Sequence, residues 1–222
     1  DYIDARDDEV IVNFSLLYAY APLLKEEEKK YENFSKSIRR RAAIIGGHNM
    51  DDYPLKMHVF NRARLIKNSK NRIPYGVDLI QKYKRESWIV FTENKKQAKE
   101  FNKIINIKGF KSALYNTDLD SAERSENLNK FKKADLNVLV TCTALDEGFD
   151  MPEADGALIL SASSSKRQRV QRMGRVLRIT ENKPNALIVT VYSSKTEFDK
   201  LMEEAKRYHK EGVPVSWKRQ DR

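Results

Sequence analysis

The sequence predicts an α/β fold in which helices flank a parallel sheet. Short apolar runs recur from residue 88 onward, at 88–91, 113–115, 138–140, 157–160 and 186–189. Helical patterns separate most of these runs, at 95–107, 121–132, 166–178 and 197–208. Strands that are apolar on both faces and alternate with helices are typical of a parallel sheet buried between helices. Because ligands of such sheets bind at the carboxyl ends of the strands, functional residues are expected there.

The first third of the chain has a different pattern. Residues 10–20 are rich in β-branched and aromatic side chains and predict a strand that ends before Pro22. A highly charged helix is predicted at 25–41, and its buried stripe consists of Tyr31, Phe34 and Ile38. Two glycines at 46–47 predict a loop after it.

A second basic helix is predicted at 55–68. Its expected core residues are Met57, Phe60 and Leu65, and its expected solvated cations are Arg62, Arg64 and Lys67. Pro74 and Gly76 predict a break, followed by a short helix at 77–83.

Three segments follow from these patterns. Residues 1–75 are expected to supply a strand and charged helices that lead into the domain. Residues 76–210 are expected to form the domain itself, and the polar residues 211–222, which include Pro214, to form a tail.

Composition limits the class of protein. The 222 residues are 40% hydrophobic and 33% charged, which favours a globular chain over a disordered one. No apolar run reaches the ~18 residues of a membrane span, so no membrane contact is expected. The single cysteine, Cys142, excludes a disulfide within the chain and fits a reducing cytoplasm or nucleus, of which the cytoplasm is the predicted location. Three scattered histidines give no ligand spacing, and no metal site is predicted.

The charge balance points to a polyanionic partner. Lys and Arg number 42 against 32 Asp and Glu, a net charge of +10. Nucleic acid is the commonest partner of such a protein, although a basic chain kept soluble by its charge remains the alternative.

Residues 166–178 hold the densest cationic run. Six of the thirteen are Lys or Arg and none is acidic. At about 100° per residue a helix here carries one apolar stripe, formed by Val170, Met173 and Leu177. Gln171, Arg175 and Arg178 lie on roughly the opposite side, with Arg172 beside them. Guanidinium groups on that side suit phosphate oxygens, which they bind through two parallel hydrogen bonds. An ordinary solvated helix is the alternative.

A second informative segment covers residues 138–155. An apolar strand ends in the hydroxyl-rich turn 141–143, and Glu-Gly-Phe-Asp follows at 147–150. Gly148 lets backbone approach a ligand closely, and the Asp150 carboxylate can accept hydrogen bonds from hydroxyl groups. By itself this segment also fits a plain turn after a strand.

The Gln-Arg-x-Gly-Arg-x-x-Arg spacing at 171–178 and the segment 138–155 resemble motifs VI and V of the superfamily 2 helicases and translocases. The resemblance implies the RecA-like fold of a helicase C-terminal domain. It implies that Arg175 and Arg178 are arginine fingers on the γ-phosphate of ATP. It also places Gly148, Asp150, Gln171 and Arg172 at the nucleotide, with Asp150 on the ribose.

The same resemblance implies a nucleic-acid track. Residues 88–94 are similar to motif IV, so Thr92 and Asn94 are expected to contact a phosphate backbone. The motif V turn is expected to do the same through Thr141 or Thr143. Cys142 stands where a hydroxyl residue is more usual, which leaves the choice between those two threonines open.

Half of a motor is missing from the sequence. The chain contains no G-x-x-x-x-G-K-[ST] phosphate loop and no Asp-Glu-x-His run that would hold magnesium. The resemblance therefore implies that ATP with Mg²⁺ is bound mainly by an N-terminal RecA-like domain of the same polypeptide. The fragment alone is expected to be inactive as an ATP hydrolase.

The details of motif VI narrow the group. Gln171 stands where the DEAD-box RNA helicases have His, and Leu177 where viral and DEAH-type enzymes have Gly. The chain is most similar to XPB-type DNA repair helicases, followed by the motor subunits of type I and type III restriction enzymes. DNA, single-stranded or duplex and held mostly by its backbone, is the expected partner. A non-catalytic RecA-like scaffold and a restriction-enzyme motor are the alternatives.

Overall fold

The computed structural model describes residues 13–142, 154–161 and 185–220. The described strands form one seven-stranded sheet in the order β3-β4-β2-β5-β6-β1-β7, and all their pairings are parallel. The strands are β1 (Phe14–Tyr20), β2 (Trp88–Thr92), β3 (Ser112–Tyr115), β4 (Val138–Cys142), β5 (Gly156–Ile159), β6 (Ala186–Tyr192) and β7 (Val215–Arg219). The described helices are α1 (Lys25–Ile45), α2 (Tyr53–Lys67), α3 (Arg72–Lys82), α4 (Lys95–Ile107), α5 (Ser121–Lys132) and α6 (Lys195–Lys210).

Both faces of the sheet are buried, as the continuous apolar runs predict. Ile89 and Ile188 belong to a core cluster on one face that includes residues of α5 and α6. Their neighbours Val90 and Val189 belong to a cluster on the other face, with residues of α3 and α4. The predicted α/β fold with a parallel sheet flanked by helices is therefore confirmed.

The first and last strands of the described chain, β1 and β7, both belong to this sheet. Strand β1 pairs with β6 on one side and with β7 on the other. The strand predicted at 10–20 is thus part of the domain, whereas the sequence suggested that it only leads into it. Residues 211–222 were expected to be a tail, but Val215–Arg219 form the edge strand β7. This edge strand needs only one paired side, so its polar sequence is tolerated.

Helices α1 and α2 pack against each other as a helical hairpin (residues 25–67). Gly46, with φ of 74° in the left-handed region, ends α1. Asp52 accepts a hydrogen bond from the Leu55 amide at 2.9 Å and so caps the start of α2. It also receives the Arg41 guanidinium at 2.6 Å, and this hydrogen bond lowers the pKa of the Asp52 carboxyl.

The core side of α2 differs from the one that the sequence predicted. Leu55 and Ile66 are its buried residues. Met57 and Phe60, which were expected in the core, are exposed, Phe60 by 51%. Leu55 and Ile66 lie three helical turns apart on one face, and Met57 and Phe60 lie on another.

Helix α3 begins at Arg72, earlier than the predicted start at Val77. Pro74 lies in the first turn, where the missing N–H costs nothing, so it does not break the helix. The helices predicted at 95–107 and 121–132 have these bounds in the structure. The helix predicted at 166–178 lies outside the described residues. Among the helices that the structure describes, none is long and apolar enough to cross a membrane.

Candidate nucleic-acid and nucleotide site

Three of the predicted site residues lie in the described part of the chain, and these are Thr92, Asn94 and Thr141. The structure brings them together at the carboxyl edge of β2 and β4, where Thr92 pairs in register with Cys142. The others lie outside the described residues, and their roles stay predictions: Thr143, Gly148, Asp150, Gln171, Arg172, Arg175 and Arg178.

The two threonines serve the sheet itself. The Thr92 hydroxyl donates to the Thr141 carbonyl at 3.0 Å and to the Asn94 carbonyl at 3.2 Å. Thr92 is 1% exposed and Thr141 is fully buried. The Thr92 hydroxyl therefore joins the ends of β2 and β4, and in this arrangement it does not face solvent. A phosphate contact through either side chain stays a prediction.

Asn94 joins the start of α4 to the helical hairpin. Its Oδ1 accepts from the Gln97 amide at 3.0 Å, which caps α4, and its Nδ2 donates to Asn68 Oδ1 at 2.7 Å. Gln97 adds a second link, because its Nε2 donates to the Lys67 carbonyl at 2.8 Å. The carboxyl edge of β2 is thus fixed against the end of α2.

A groove of about 880 Å³ opens between α2 and the start of α4. We call it the α2–α4 groove and define it by Phe34, Phe60, Arg64, Lys67, Asn94 and Lys96. Lys67 is paired with Glu93 at 2.6 Å. Within the described residues, neither Arg64 nor Lys96 has an ion-pair partner, and both are exposed. Their positive charge is free to meet a ligand.

The groove also presents an aromatic ring. Phe60 is 51% exposed, and the Lys56 ammonium lies 5.9 Å from the centre of its ring. Cations that follow a phosphate backbone, together with an aromatic face on which a base can stack, are the usual means of binding a single-stranded nucleic acid. The arrangement can therefore hold such a strand at the carboxyl edge of β2.

Other lysines at the start of α4 are already paired. Asp118 lies after β3 and binds Lys95 and Lys99, the latter at 3.0 Å. The pKa of the Asp118 carboxyl is lowered, chiefly by the hydrogen bond from Lys95 and then by that from Lys99. Burial raises the pKa of the nearby Tyr115 hydroxyl. Lys96 also lies in this turn and lines the groove. Among the described residues its ammonium group has no ion-pair partner.

Sequence analysis missed the groove because it classed the groove's residues separately. Phe60 was expected in the core and Arg64 and Lys67 in solvent, with no common role. A signal was present in α2. Leu55 and Ile66 form the buried side of this helix, and Phe60 does not lie on that side. An aromatic residue off the buried side of a basic helix indicates a contact surface.

Comparison with known proteins identifies the kind of domain to which this sheet belongs. Residues 71–180 match the family described as the helicase conserved C-terminal domain. The DNA 3'-5' translocase XPB2 of Sulfurisphaera tokodaii is 29% identical over 202 residues, which are 84% of this chain and 44% of the relative. The UvrABC system protein B of Fusobacterium nucleatum is 31% identical over 125 residues, 53% of this chain and 19% of the relative. This chain thus spans less than half the length of both relatives.

Solved structures share the fold. The C-terminal domain of the DEAD-box protein Dbp5 superposes with a TM-score of 0.59 at 19% identity, over 68% of this chain and 85% of that one. A DEAD box protein from Methanococcus jannaschii gives a TM-score of 0.53 at 15% identity, over 94% of this chain and 42% of that one.

The fold and the matched family define a RecA-like domain of the helicase class. The chain carries the C-terminal RecA-like domain of the superfamily 2 helicase family, and residues 71–180 match its conserved part.

Proposed function

We propose that this chain is the second motor domain of an ATP-dependent DNA helicase or translocase. The observation that carries the proposal is the α2–α4 groove, which joins Asn94 to unpaired cations and an exposed ring at the carboxyl edge of β2. The groove lies where a parallel sheet binds its ligands, in a chain that carries a helicase C-terminal domain.

DNA is proposed as the substrate because of the relatives that cover most of this chain or exceed 30% identity. XPB2 is named as a DNA translocase, and it matches 84% of the chain. The solved structures of S. cerevisiae Dbp5 bound to RNA are only 16% identical and support the fold alone. Contacts in the groove would be made mainly to phosphate, so sequence preference should be low and salt dependence strong.

In the proposed mechanism, the residues predicted at the nucleotide bind ATP and stabilise the transferred phosphoryl group. An N-terminal RecA-like domain of the same polypeptide would make most of the contacts to ATP and Mg²⁺; ATP would supply the phosphoryl group, and Mg²⁺ would offset the charge of its phosphates. Asp150 would accept hydrogen bonds from the ribose, with Gly148, Gln171 and Arg172 beside the nucleotide. Arg175 and Arg178 would stabilise the charge that develops on the transferred phosphoryl group. Opening and closing of the cleft between the domains would then change the grip of the α2–α4 groove on the strand.

The decisive experiment measures ATP turnover by the full-length polypeptide with Arg175→Ala or Arg178→Ala. An arginine finger typically contributes ~10³ to 10⁵ in turnover, so a loss of about two orders of magnitude or more is expected. DNA affinity should stay nearly unchanged, because the fingers face nucleotide. Arg40→Ala, an exposed change on α1, is the matched control and should leave turnover intact.

Two results would count against the proposal. An equal loss of DNA affinity in both finger variants would assign the arginines to the strand. Robust ATP hydrolysis by the 222-residue chain alone would show that the nucleotide cradle lies within it. Stimulation by RNA but not by DNA would keep the motor and change its substrate.

The two alternatives make different demands on the rest of the polypeptide. A non-catalytic RecA-like scaffold requires that no phosphate loop lies upstream of Asp1. A restriction-enzyme motor requires a nuclease domain in the same gene or its partner subunit. The sequence upstream of this chain distinguishes all three.

A further inference from the structure

Arg72, the first residue of α3, is completely buried, and each of its guanidinium N–H groups has an acceptor. Nε donates to the Ile66 carbonyl at 2.9 Å and to Ser69 Oγ at 3.2 Å. Nη1 donates to the carbonyls of Leu160 at 2.8 Å and Val191 at 2.6 Å. Nη2 donates to both carboxylate oxygens of Glu197, each at 2.7 Å.

These acceptors belong to four separate parts of the domain. Ile66 and Ser69 mark the end of α2 and the turn after it. Leu160 and Val191 lie at the carboxyl ends of β5 and β6. Glu197 lies in the first turn of α6, where it also accepts from the Ser193 amide at 2.8 Å. One planar group therefore fixes the exit of the helical hairpin to the carboxyl edge of the sheet.

Two of the acceptors, Ile66 and Leu160, lie near the predicted functional residues. Helix α2 ends at Lys67, and Arg64 and Lys67 line the α2–α4 groove. Leu160 lies at the end of β5, only a few residues before the Arg-rich segment 166–178. Arg72 thus contacts the backbone at the end of the hairpin and at Leu160, the described residue from which the chain continues toward the segment of the predicted fingers.

The free energy of unfolding alone does not explain why the chain has an ion pair here. A buried Arg–carboxylate pair loses hydration on folding, and apolar residues of similar volume often replace such a pair without loss of stability. A rigid, fully satisfied guanidinium does provide what apolar packing lacks, which is a fixed orientation of several backbone carbonyls at once. A lysine offers three donors from one atom and cannot reach these acceptors together.

We propose that Arg72 is a positioning residue that couples occupancy of the α2–α4 groove to the arginine segment, and that Glu197 orients it. The inference rests on the proposed function, since it concerns how DNA binding stimulates ATP turnover. Neither residue touches substrate. Their effect is on the communication between two sites, which is a coupling free energy and can be measured as a ratio.

The test uses the full-length polypeptide and three variants. ATP turnover is measured with and without saturating oligo(dT), together with the KM for ATP, the Kd for oligo(dT) and the Tm. Arg72→Lys keeps the positive charge but removes the planar guanidinium group with its several donors. Arg72→Met combined with Glu197→Met removes both charges and keeps the volume, so it is expected to fold even if Arg72→Lys does not. Arg41→Met removes an Arg–carboxylate pair that lies within the hairpin and does not reach the sheet.

We expect the stimulation ratio to fall about fivefold or more in Arg72→Lys and in the double variant, the lower end of common coupling factors. Basal turnover, the KM for ATP and the Kd for oligo(dT) should each stay within about twofold of the wild type, a change of ~0.4 kcal/mol. Arg41→Met should keep the wild-type ratio.

Three results would overturn the inference. The first is an unchanged ratio in the folded double variant. The second is a parallel fall of basal and stimulated turnover that follows the Tm, which would make the network purely structural. The third is failure of the double variant to fold, which would also make the network purely structural. If wild-type turnover does not respond to oligo(dT) at all, the proposed function fails first, and the two failures are thereby distinguished.

Discussion

Trp88 and Gly156 show how a glycine makes room for a large side chain at the centre of the sheet. They pair in register on β2 and β5, and the Trp88 indole is fully buried. A Cβ atom at position 156 would lie 2.6 Å from Trp88 Cε3 and 2.7 Å from Cδ2. The ring occupies the space that any side chain at 156 would need. The absence of a side chain at 156 therefore lets the Trp88 indole cover the neighbouring strand β5.

Gly156→Ala is therefore expected to destabilise the domain by about 1–3 kcal/mol, the usual cost of overpacking a core. Gly76→Ala is the matched control. Its Cβ would lie 2.7 Å from Leu160 Cδ2, 3.1 Å from Leu158 Cδ2 and 3.2 Å from Phe101 Cε2. The shortest of these contacts is to the end of a flexible side chain, and Ala gains helix propensity in α3. Urea unfolding of both variants gives the comparison. A smaller loss for Gly156→Ala than for Gly76→Ala would contradict this account of the contact.

Sequence reasoning located the site's residues at this scale better than it assigned their contacts. It placed Thr92, Asn94 and Thr141 at the carboxyl ends of strands, where the structure has them. It could not show that the Thr92 hydroxyl would be bound by a carbonyl from a strand 49 positions away. Arg72 gave no local signal, because its partners Leu160, Val191 and Glu197 are 88, 119 and 125 positions distant.

At the scale of elements, the central strands and capped helices were the most predictable. Each of β2, β4, β5 and β6 is buried throughout, so each appears in the sequence as an apolar run. Helices α4 and α5 begin directly after Asn94 and Asp120, whose side chains cap them. Local chemistry determines these features, which is why local patterns predicted them.

Edge strand β7 was not predictable in this way. Its sequence, Val-Ser-Trp-Lys-Arg, is mostly polar, and only pairing with β1 makes it a strand. Trp217 then joins an aromatic cluster, with its ring centre 4.7 Å from that of Tyr18, 5.1 Å from Phe198 and 5.9 Å from Tyr192. These partners come from β1, α6 and β6, so the cluster holds the carboxy-terminal segment on the sheet.

We expect Trp217→Ala to lower the free energy of unfolding by about 2 kcal/mol. The value is below the ~3–5 kcal/mol of a fully buried aromatic residue because Trp217 is 38% exposed. Trp217→Phe keeps a ring in the cluster and should cost less than half as much. Thermal unfolding of the two variants measures the difference. No loss in either variant would mean that residues 211–222 behave as the tail that the sequence suggested.

At the scale of the whole molecule, charge is unevenly used. The chain has a net charge of +10, but several of its described cations are neutralised by partners, among them Arg72, Lys95 and Lys99. Arg64 and Lys96 are exposed in the α2–α4 groove. Under the proposed function, net charge would draw the protein to a polyanion, and the groove cations, which have no ion-pair partner among the described residues, would determine where the strand lies.

Salt dependence separates these two contributions. Binding of fluorescent oligo(dT) to the 222-residue chain should weaken linearly in log Kd against log salt concentration, with a slope of ~0.7 per phosphate contact. Arg64→Ala and Lys96→Ala should each reduce the slope by about one contact's worth, 0.7 to 1. Lys30→Ala removes the same charge from the exposed face of α1 and should leave the slope unchanged.

Phe60→Ala tests the remaining part of the groove, because stacking involves no counterion release. The variant should weaken oligo(dT) binding by ~1–3 kcal/mol, the usual value for one base on an aromatic ring, at every salt concentration and with the wild-type slope. Met57→Ala, an exposed apolar change on the same helix outside the groove lining, is the control and should bind normally. If Phe60→Ala binds like the wild type while Arg64→Ala and Lys96→Ala lower the slope, the strand follows the cations without stacking on the ring. If all three bind like the wild type, the groove is not part of the nucleic-acid track.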